Sequence, residues 1–247
     1  MTEFRLSRRG DIPALRQLWN QAFGDSQEYL DLFFSTAYAP ERCLVLDDIG
    51  AAAYWLNCGL GNRKLAYVYA VAVGKDLRGR GVGSAMMKEL RVHLEAQGYA
   101  GILLVPGDEG LRNYYQRLGY RTVSRQDRFA AKAGQIVEMA RLDAGEYARL
   151  RRAYLEDSGV IQEGENLALL SGMAEFFHGN GFLAAVQPGE GVCLELLGDS
   201  KAAPGITAAL GLERCEFRMP GPGNPYAMTL PFIEDFPEEI YFGFGFD

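Results

Sequence analysis

Apolar residues divide this chain into short segments whose spacing switches between a period of two and a period near 3.6. Leu65–Val73, LAYVYAVAV, is nine residues of β-branched, aromatic and small side chains, which suits a buried strand. After it, Val82, Ala85, Met86, Leu90 and Leu94 share one helical face, with Lys88, Glu89 and Arg91 mostly off it, so an amphipathic helix is predicted to run up to Gly98. Upstream, Phe4-Arg5-Leu6 reads as a strand. Leu15, Leu18, Trp19, Ala22 and Phe23 keep helical spacing behind Asp11 and Pro13, an N-cap and a first-turn proline. Tyr29 to Tyr38 gives a second helix, ended near Pro40. Cys43–Leu46 and Ala51–Leu56 predict paired strands around the turn Asp47–Gly50. Ile102–Val105 is the next buried strand, Leu111–Leu118 a short helix ended by Gly119, and Tyr120–Val123 the start of a further strand.

From Gln126 to Gln135 the pattern weakens, which predicts a linker between a domain at 1–128 and a second at 136–247. The second half then echoes the first. Met139–Leu142 matches Phe4–Leu6. Asp143 opens a helix as Asp11 does, and Phe182–Val186 and Val192–Leu197 repeat the two paired strands. Ile206–Leu210 reads as a brief helix and Cys215–Arg218 as a strand. The turn-rich Pro220–Pro225, a strand at Ala227–Leu230 and the aromatic run Tyr241–Phe246 follow.

The segment joining strand 65–73 to helix 82–94 concentrates candidate chemistry. It holds Gly74, Gly79, Gly81 and Gly83 with Lys75, Arg78 and Arg80. The first N–H groups of a helix have no intrahelical partner, the dipole favours negative charge there, and glycines let a phosphate approach the backbone. The spacing is neither G-x-G-x-x-G nor G-x-x-x-x-G-K-[ST], so neither a dinucleotide fingerprint nor a P-loop is present. Arg78 to Gly83 reads R-x-x-G-x-G.

That pattern resembles the acyl-CoA pyrophosphate loop of the GNAT N-acetyltransferase superfamily. Val71-Ala72-Val73 stands where that family's splayed strand faces the pantetheine arm. Asn113–Tyr120, NYYQRLGY, is similar to the family's second motif, whose tyrosine four residues before glycine meets the thioester sulfur; here it is Tyr115. The resemblance covers roughly the first half of the chain. It implies an α+β fold with a mixed central sheet flanked by helices, joined to a second, smaller α+β domain. It further implies acetyl-CoA as cosubstrate, bound by Val71, Ala72, Val73, Arg78, Gly79, Arg80, Gly81, Val82, Gly83 and Ser84, with Tyr115 as the acid for the leaving thiolate and a small-molecule or protein amine as acceptor. The one other R-x-x-G-x-G, Arg218 to Gly223, falls in the turn-rich Pro220–Pro225 with a strand and no amphipathic helix predicted after it, so the second half, which is similar to the degenerate unit of tandem acetyltransferases, is expected not to bind CoA.

Charge sharpens the contrast between the halves. Residues 1–129 carry 17 Lys and Arg against 14 Asp and Glu, whereas residues 130–247 carry 8 against 18, within a net charge of −7. The basic half holds the proposed anion loop; the acidic half is a poor match for nucleic acid. No leader-like or membrane-spanning apolar run is present, and four separated cysteines (Cys43, Cys58, Cys193, Cys215) fit reduced core residues, so a cytoplasmic location is expected. With His93 and His178 the only histidines, no metal site is expected. His178 is placed in a Gly-Asn-Gly loop and His93 near the helix face. The general base stays open: the central strand offers Tyr67 and Tyr69 rather than a carboxylate, Asp108 and Glu109 read first as helix-start residues, and Asp247 is a further candidate because some tandem acetyltransferases bring the chain end into the site. The absent base leaves a non-catalytic acyl-CoA sensor or scaffold as the alternative function, beside a protein-lysine acetyltransferase.

Overall fold

The periods of the first half take shape as strand β1 (Phe4–Leu6), helices α1 (Ile12–Phe23) and α2 (Gln27–Thr36), strands β2 (Cys43–Leu46), β3 (Ala51–Leu60) and β4 (Arg63–Val73), helix α3 (Val82–Ala96), strand β5 (Gly101–Leu104), helix α4 (Glu109–Arg117) and strand β6 (Arg121–Thr122). The second half adds β7 (Arg125–Lys132), β8 (Met139–Leu142), α5 (Ala144–Tyr154), α6 (Glu165–Ser171), β9 (Glu175–Gly179), β10 (Phe182–Gln187), β11 (Val192–Gly198), α7 (Ala203–Ala209), β12 (Arg214–Pro220), β13 (Asn224–Pro225) and β14 (Met228–Pro231). This computed structural model describes residues 3–155 and 157–246.

The strands form two seven-stranded mixed sheets, β1-β2-β3-β4-β5-β14-β6 and β13-β7-β12-β11-β10-β9-β8, and with the helices on their faces the class is α+β. In the first sheet β1 through β4 are antiparallel neighbours, β4 and β5 are parallel, and β14 runs antiparallel to β5. In the second, β8 through β11 are antiparallel neighbours, β11 and β12 are parallel, and β7 runs antiparallel to β12.

Two sequence expectations change here. The predicted linker at 126–135 is mostly strand β7, paired with β12 from Gln126–Pro220 to Lys132–Arg214. Its sequence, RQDRFAAK, reads as a linker because the strand places polar side chains on both faces, among them the fully buried Gln126. Strand β14, predicted as a continuation of the second half, instead enters the first sheet between β5 and β6. The two sheets thereby exchange a strand, β7 going to the second and β14 to the first. Local periodicity finds such a strand but carries no information about its partner.

The largest core lies between the sheets. It joins Leu15, Trp19 and Phe33 of α1 and α2, Tyr67 of β4, Tyr147 of α5, Leu183 and Ala185 of β10, and Phe242, Phe244 and Phe246. Alternation in β10 sends Phe182, Ala184 and Val186 to a third cluster under α7. The outer face of the first sheet is covered by Met86, Leu90 and Leu94 of α3 and Tyr115 of α4. Each such fully buried side chain contributes about 1.5–3 kcal/mol. All four cysteines are buried and reduced.

Candidate active site

Strand β4 is 11 residues long and β5 only four, and the two pair over Leu65–Gly101, Ala66–Ile102 and Tyr67–Leu103 alone. Residues 68–73 therefore run on with no strand beside them on the β5 side. Within this overhang the register against β3 slips by one residue between Tyr54–Tyr69 and Ala52–Ala72, a β-bulge with Ala70 at φ 53°. A non-glycine residue in that region is strained, and such strain clusters at functional sites. Val71 and Val73 pack on the α3 side, while Ala72, 2% exposed, faces the core between the sheets.

The chain leaves β4 through Gly74 and reaches α3 through two glycines in left-handed conformation, Gly79 at φ 73° and Gly81 at φ 80°. Gly81 is the N-cap and offers no side-chain cap, so the amides of Val82, Gly83 and Ser84 are left for an outside acceptor. Arg78 donates from Nε to the Val73 carbonyl at 2.9 Å, tying the loop to the end of β4. Arg78 and Arg80 are exposed. Helix α3 is 15 residues long, enough to carry a full dipole at this end.

Helix α4 brings its tyrosines to the same place. The Tyr114 hydroxyl lies 3.2 Å from Ser84 Oγ, and a Cβ on Gly83 would sit 3.2 Å from that hydroxyl, a contact tight enough to press it back by a few tenths of an ångström. The Tyr114 ring packs edge-on to Tyr115 at 5.1 Å, and Tyr115 packs in turn on Tyr120 at 5.4 Å. Tyr115 is buried at 7% exposure, and its hydroxyl has no hydrogen-bond partner among the described residues. Burial, with a smaller contribution from Tyr114, pushes its pKa well above the ordinary phenol value, so it stays protonated. The structure thus gathers Val73, Arg78, Gly83, Ser84 and Tyr114 around the start of α3, with Gly79, Arg80, Gly81 and Val82 completing the loop; Tyr115 lies one ring further off, packed on Tyr114, and shares with Val71 the apolar cluster under α3.

Two of the three carboxylates considered as bases are engaged elsewhere. Asp108 caps α4 by accepting from the Leu111 amide at 2.7 Å, and Glu109 reaches Arg112 at 3.5 Å from an exposed position. His93 bonds Gln97 at 3.0 Å and packs edge-on to Trp55 at 5.6 Å; burial lowers its pKa. His178 lies within strand β9, opposite Leu183, rather than in a loop. Asp247 lies outside the described residues. No group of side chains with metal-ligand geometry occurs among the described residues, and no described helix is long and apolar enough to cross a membrane.

What the sequence reading missed is the other side of β4. The Tyr69 hydroxyl donates to the Phe246 carbonyl at 2.8 Å and lies 2.7 Å from the Tyr29 hydroxyl. The run of aromatics at 241–246 was visible, but nothing local in it points to β4. A separate cleft of about 1190 Å³, lined by Arg121, Glu238 and Tyr241 among others, contains none of the loop residues.

Residues 12–120 match the model of the Acetyltransferase (GNAT) family. The fold is similar to a GCN5-related N-acetyltransferase from Kribbella flavida, with TM-score 0.69 and 17% identity over 93% of this chain and 70% of that one. A probable N-acyltransferase from Enterococcus faecalis gives 0.68 and 16% over 94% and 73%, and a putative acetyltransferase from Pyrococcus horikoshii 0.64 and 14% over 98% and 94%. At these identities the likeness is one of fold. No curated protein sequence matches the chain.

Proposed function

We propose that this chain, an acyltransferase whose residues 12–120 are a domain of the acetyltransferase (GNAT) family, moves the acetyl group of acetyl-CoA to a primary amine by direct attack on the thioester. The observation that carries this reading is the continuity of one stretch: a strand that overhangs its neighbour, a two-glycine turn, and an uncapped helix start. The amides of Val82–Ser84 with Arg78 and Arg80 receive the pyrophosphate. Gly79 and Gly81 supply the left-handed backbone that turns those amides outward. The pantetheine arm lies along Val71, Ala72 and Val73, where main-chain N–H groups polarise the thioester carbonyl as the oxyanion develops. Tyr115, kept neutral by burial, gives its proton to the leaving thiolate as the C–S bond breaks and the C–N bond forms, and the proton shed by the amine nitrogen restores it. The acceptor amine attacks from the Tyr69 side of β4, across the strand from α3.

Calorimetric titration of acetyl-CoA into the wild-type protein and into Gly81→Glu tests the site. The new carboxylate stands where the phosphate binds. Saturable binding at one site per chain, lost in the variant, and CoA release on adding an amine are the expected results. No binding to the wild type defeats the enzyme reading. Binding without CoA release from any amine in a panel leaves an acyl-CoA sensor in its place.

A further inference from the structure

The segment Tyr241–Phe246 reads Tyr-Phe-Gly-Phe-Gly-Phe, a repeat of period two. Its phenylalanines at 242, 244 and 246 all enter the core between the sheets. Hydrophobic burial alone cannot fix such a segment. A slip of two residues, about 7 Å along an extended chain, puts the next phenylalanine into each pocket and costs little apolar contact. The register must come from the main chain.

Buried side chains of both halves provide it: Ser124 accepts from the Phe242 amide at 3.0 Å, Tyr226 from the Gly245 amide at 2.5 Å and Tyr67 from the Phe246 amide at 3.3 Å, and at the centre of the segment stands the largest set, from Gln162. Gln162, 1% exposed, accepts from the Gly243 and Phe244 amides at 3.1 and 3.2 Å and donates to the Phe244 carbonyl at 2.6 Å. Gln126 donates to the Gly243 carbonyl at 2.7 Å. Behind them, Arg151 holds Glu195 through two nitrogens at 2.7 and 2.8 Å and lays its guanidinium over the Phe244 ring, 5.1 Å from its centre. Gly243 is the residue that passes this pair: a Cβ there would lie 2.0 Å from Glu195 Oε1 and 2.4 Å from Arg151 Nη2. A slip by one residue would press a phenylalanine against the ion pair. A slip by two would bring Gly245 there instead and carry Phe246 away from Tyr69.

Burying an amide and an ion pair here costs desolvation that apolar side chains would avoid. What the polar groups add is position. We infer that Gln162 is a positioning residue of the acyl-transfer site, a register key that selects which turn of the Phe-Gly repeat meets Tyr69 on strand β4. The inference rests on the acetyltransferase reading above. Gln162 touches no reacting atom; it acts through the main chain from Gly243 to Phe246, four residues, ending at the Phe246 carbonyl that accepts from Tyr69.

The test compares wild type, Gln162→Leu and Gln162→Glu. The leucine removes these three bonds and the longer one from Arg151 Nη2, 3.5 Å from Gln162 Oε1; the glutamate keeps the acceptor contacts and sets a negative charge against Arg151. With Gln162→Leu, kcat is expected to fall about 10²-fold, the size of effect a misplaced group produces, while acetyl-CoA affinity by calorimetry stays within about twofold. Gln162→Glu should recover most of that turnover. Amide exchange at Gly243 and Phe244, followed by mass spectrometry, should accelerate in the leucine variant and return in the glutamate variant. If the leucine variant does not fold, Gln126→Leu, which removes a single bond to Gly243, carries the same test with a smaller expected loss. Wild-type turnover retained in both leucine variants overturns the register key alone. Parallel loss of turnover and acetyl-CoA affinity also overturns it. A wild type that binds no acetyl-CoA overturns the underlying reading and the inference with it.

Discussion

The crossover from β4 to β5 and the crossover from β11 to β12 make the same parallel connection at the same place in their sheets, yet they differ in everything a phosphate would touch. The first ends in two left-handed glycines and a 15-residue helix with no cap on its first amides. The second passes through Asp199, whose carboxylate accepts from the Lys201 amide at 2.9 Å, and enters a seven-residue helix with Pro204 in its first turn. A carboxylate thus stands near the turn, and one helical N–H is missing. Its leading glycine, Gly198, is left-handed for a packing reason: a Cβ would lie 2.1 Å from the Gly181 carbonyl. The comparison teaches that strand order does not make an anion site. Open amides do, and they depend on a few residues between the strands.

Tyr115 draws the comparison most sharply, because α4 places it beside the first crossover and β12 leads into a turn without any such helix. Tyr115→Phe should lower kcat by about 10²–10⁴-fold while acetyl-CoA affinity stays within about twofold. The hydroxyl has no hydrogen-bond partner among the described residues, so the melting temperature should hardly move. Because burial keeps the phenol protonated, the wild-type pH profile of kcat should show no falling limb from Tyr115 up to about pH 10, its ordinary range. Unchanged kcat in the variant would sever the tyrosine from the chemistry.

At the second crossover the effect should fall on stability instead. Gly198→Ala forces a Cβ onto the Gly181 carbonyl at a positive φ and should cost about 1–3 kcal/mol in urea unfolding, with acetyl-CoA affinity unchanged. A change in affinity would mean that the second crossover contributes to binding after all.

Much of the first region was legible in the sequence, because its signals are local. The β-branched run, the glycine spacing and the 3.6-residue period each lie within a dozen residues, and they fold as read. The second region was legible only as elements. Strand β7 hides behind Gln126 and four charged residues; Gln126 bonds the tail at Gly243, and Arg125 and Asp127 bond the turn at Gly223, Asp127 accepting from its amide at 2.9 Å. Strand β14 was visible, but its partner β5 lies more than a hundred residues away. The clamp on Phe242–Phe246 was not legible at all, since Gln162 and Gln126 acquire meaning only once the sheets face each other. Residues that act through distant main chain leave no periodic trace.

The start of each half gives the finest form of the comparison. Asp11 and Asp143 both read as N-caps and both stand at the N-cap position, but only Asp143 bonds the amides of its helix. Asp143 accepts from the Glu146 amide at 2.8 Å and Glu146 answers at the Asp143 amide at 3.0 Å, a closed capping box. Asp143→Ala should cost about 1 kcal/mol at neutral pH. Asp11 makes no cap bond to the amides of α1; its carboxylate takes Arg5 at 2.7 Å and the Arg8 amide at 2.8 Å. The hydrogen bond from Arg5 is the chief reason its pKa lies below the ordinary aspartate value. A carboxylate whose folded pKa is depressed stabilises the protein above its unfolded pKa, about 3.9, and loses that contribution as pH falls through the folded value. Because the pair is partly open to solvent, Asp11→Asn should cost only about 0.5 kcal/mol at pH 7. That cost should shrink below pH 4 as the wild-type carboxyl takes up its proton. Urea unfolding of both proteins at pH 7 and at pH 3 decides it: a difference that persists undiminished at pH 3 would mean that Asp11 matters for the shape of its hydrogen bonds and not for its charge.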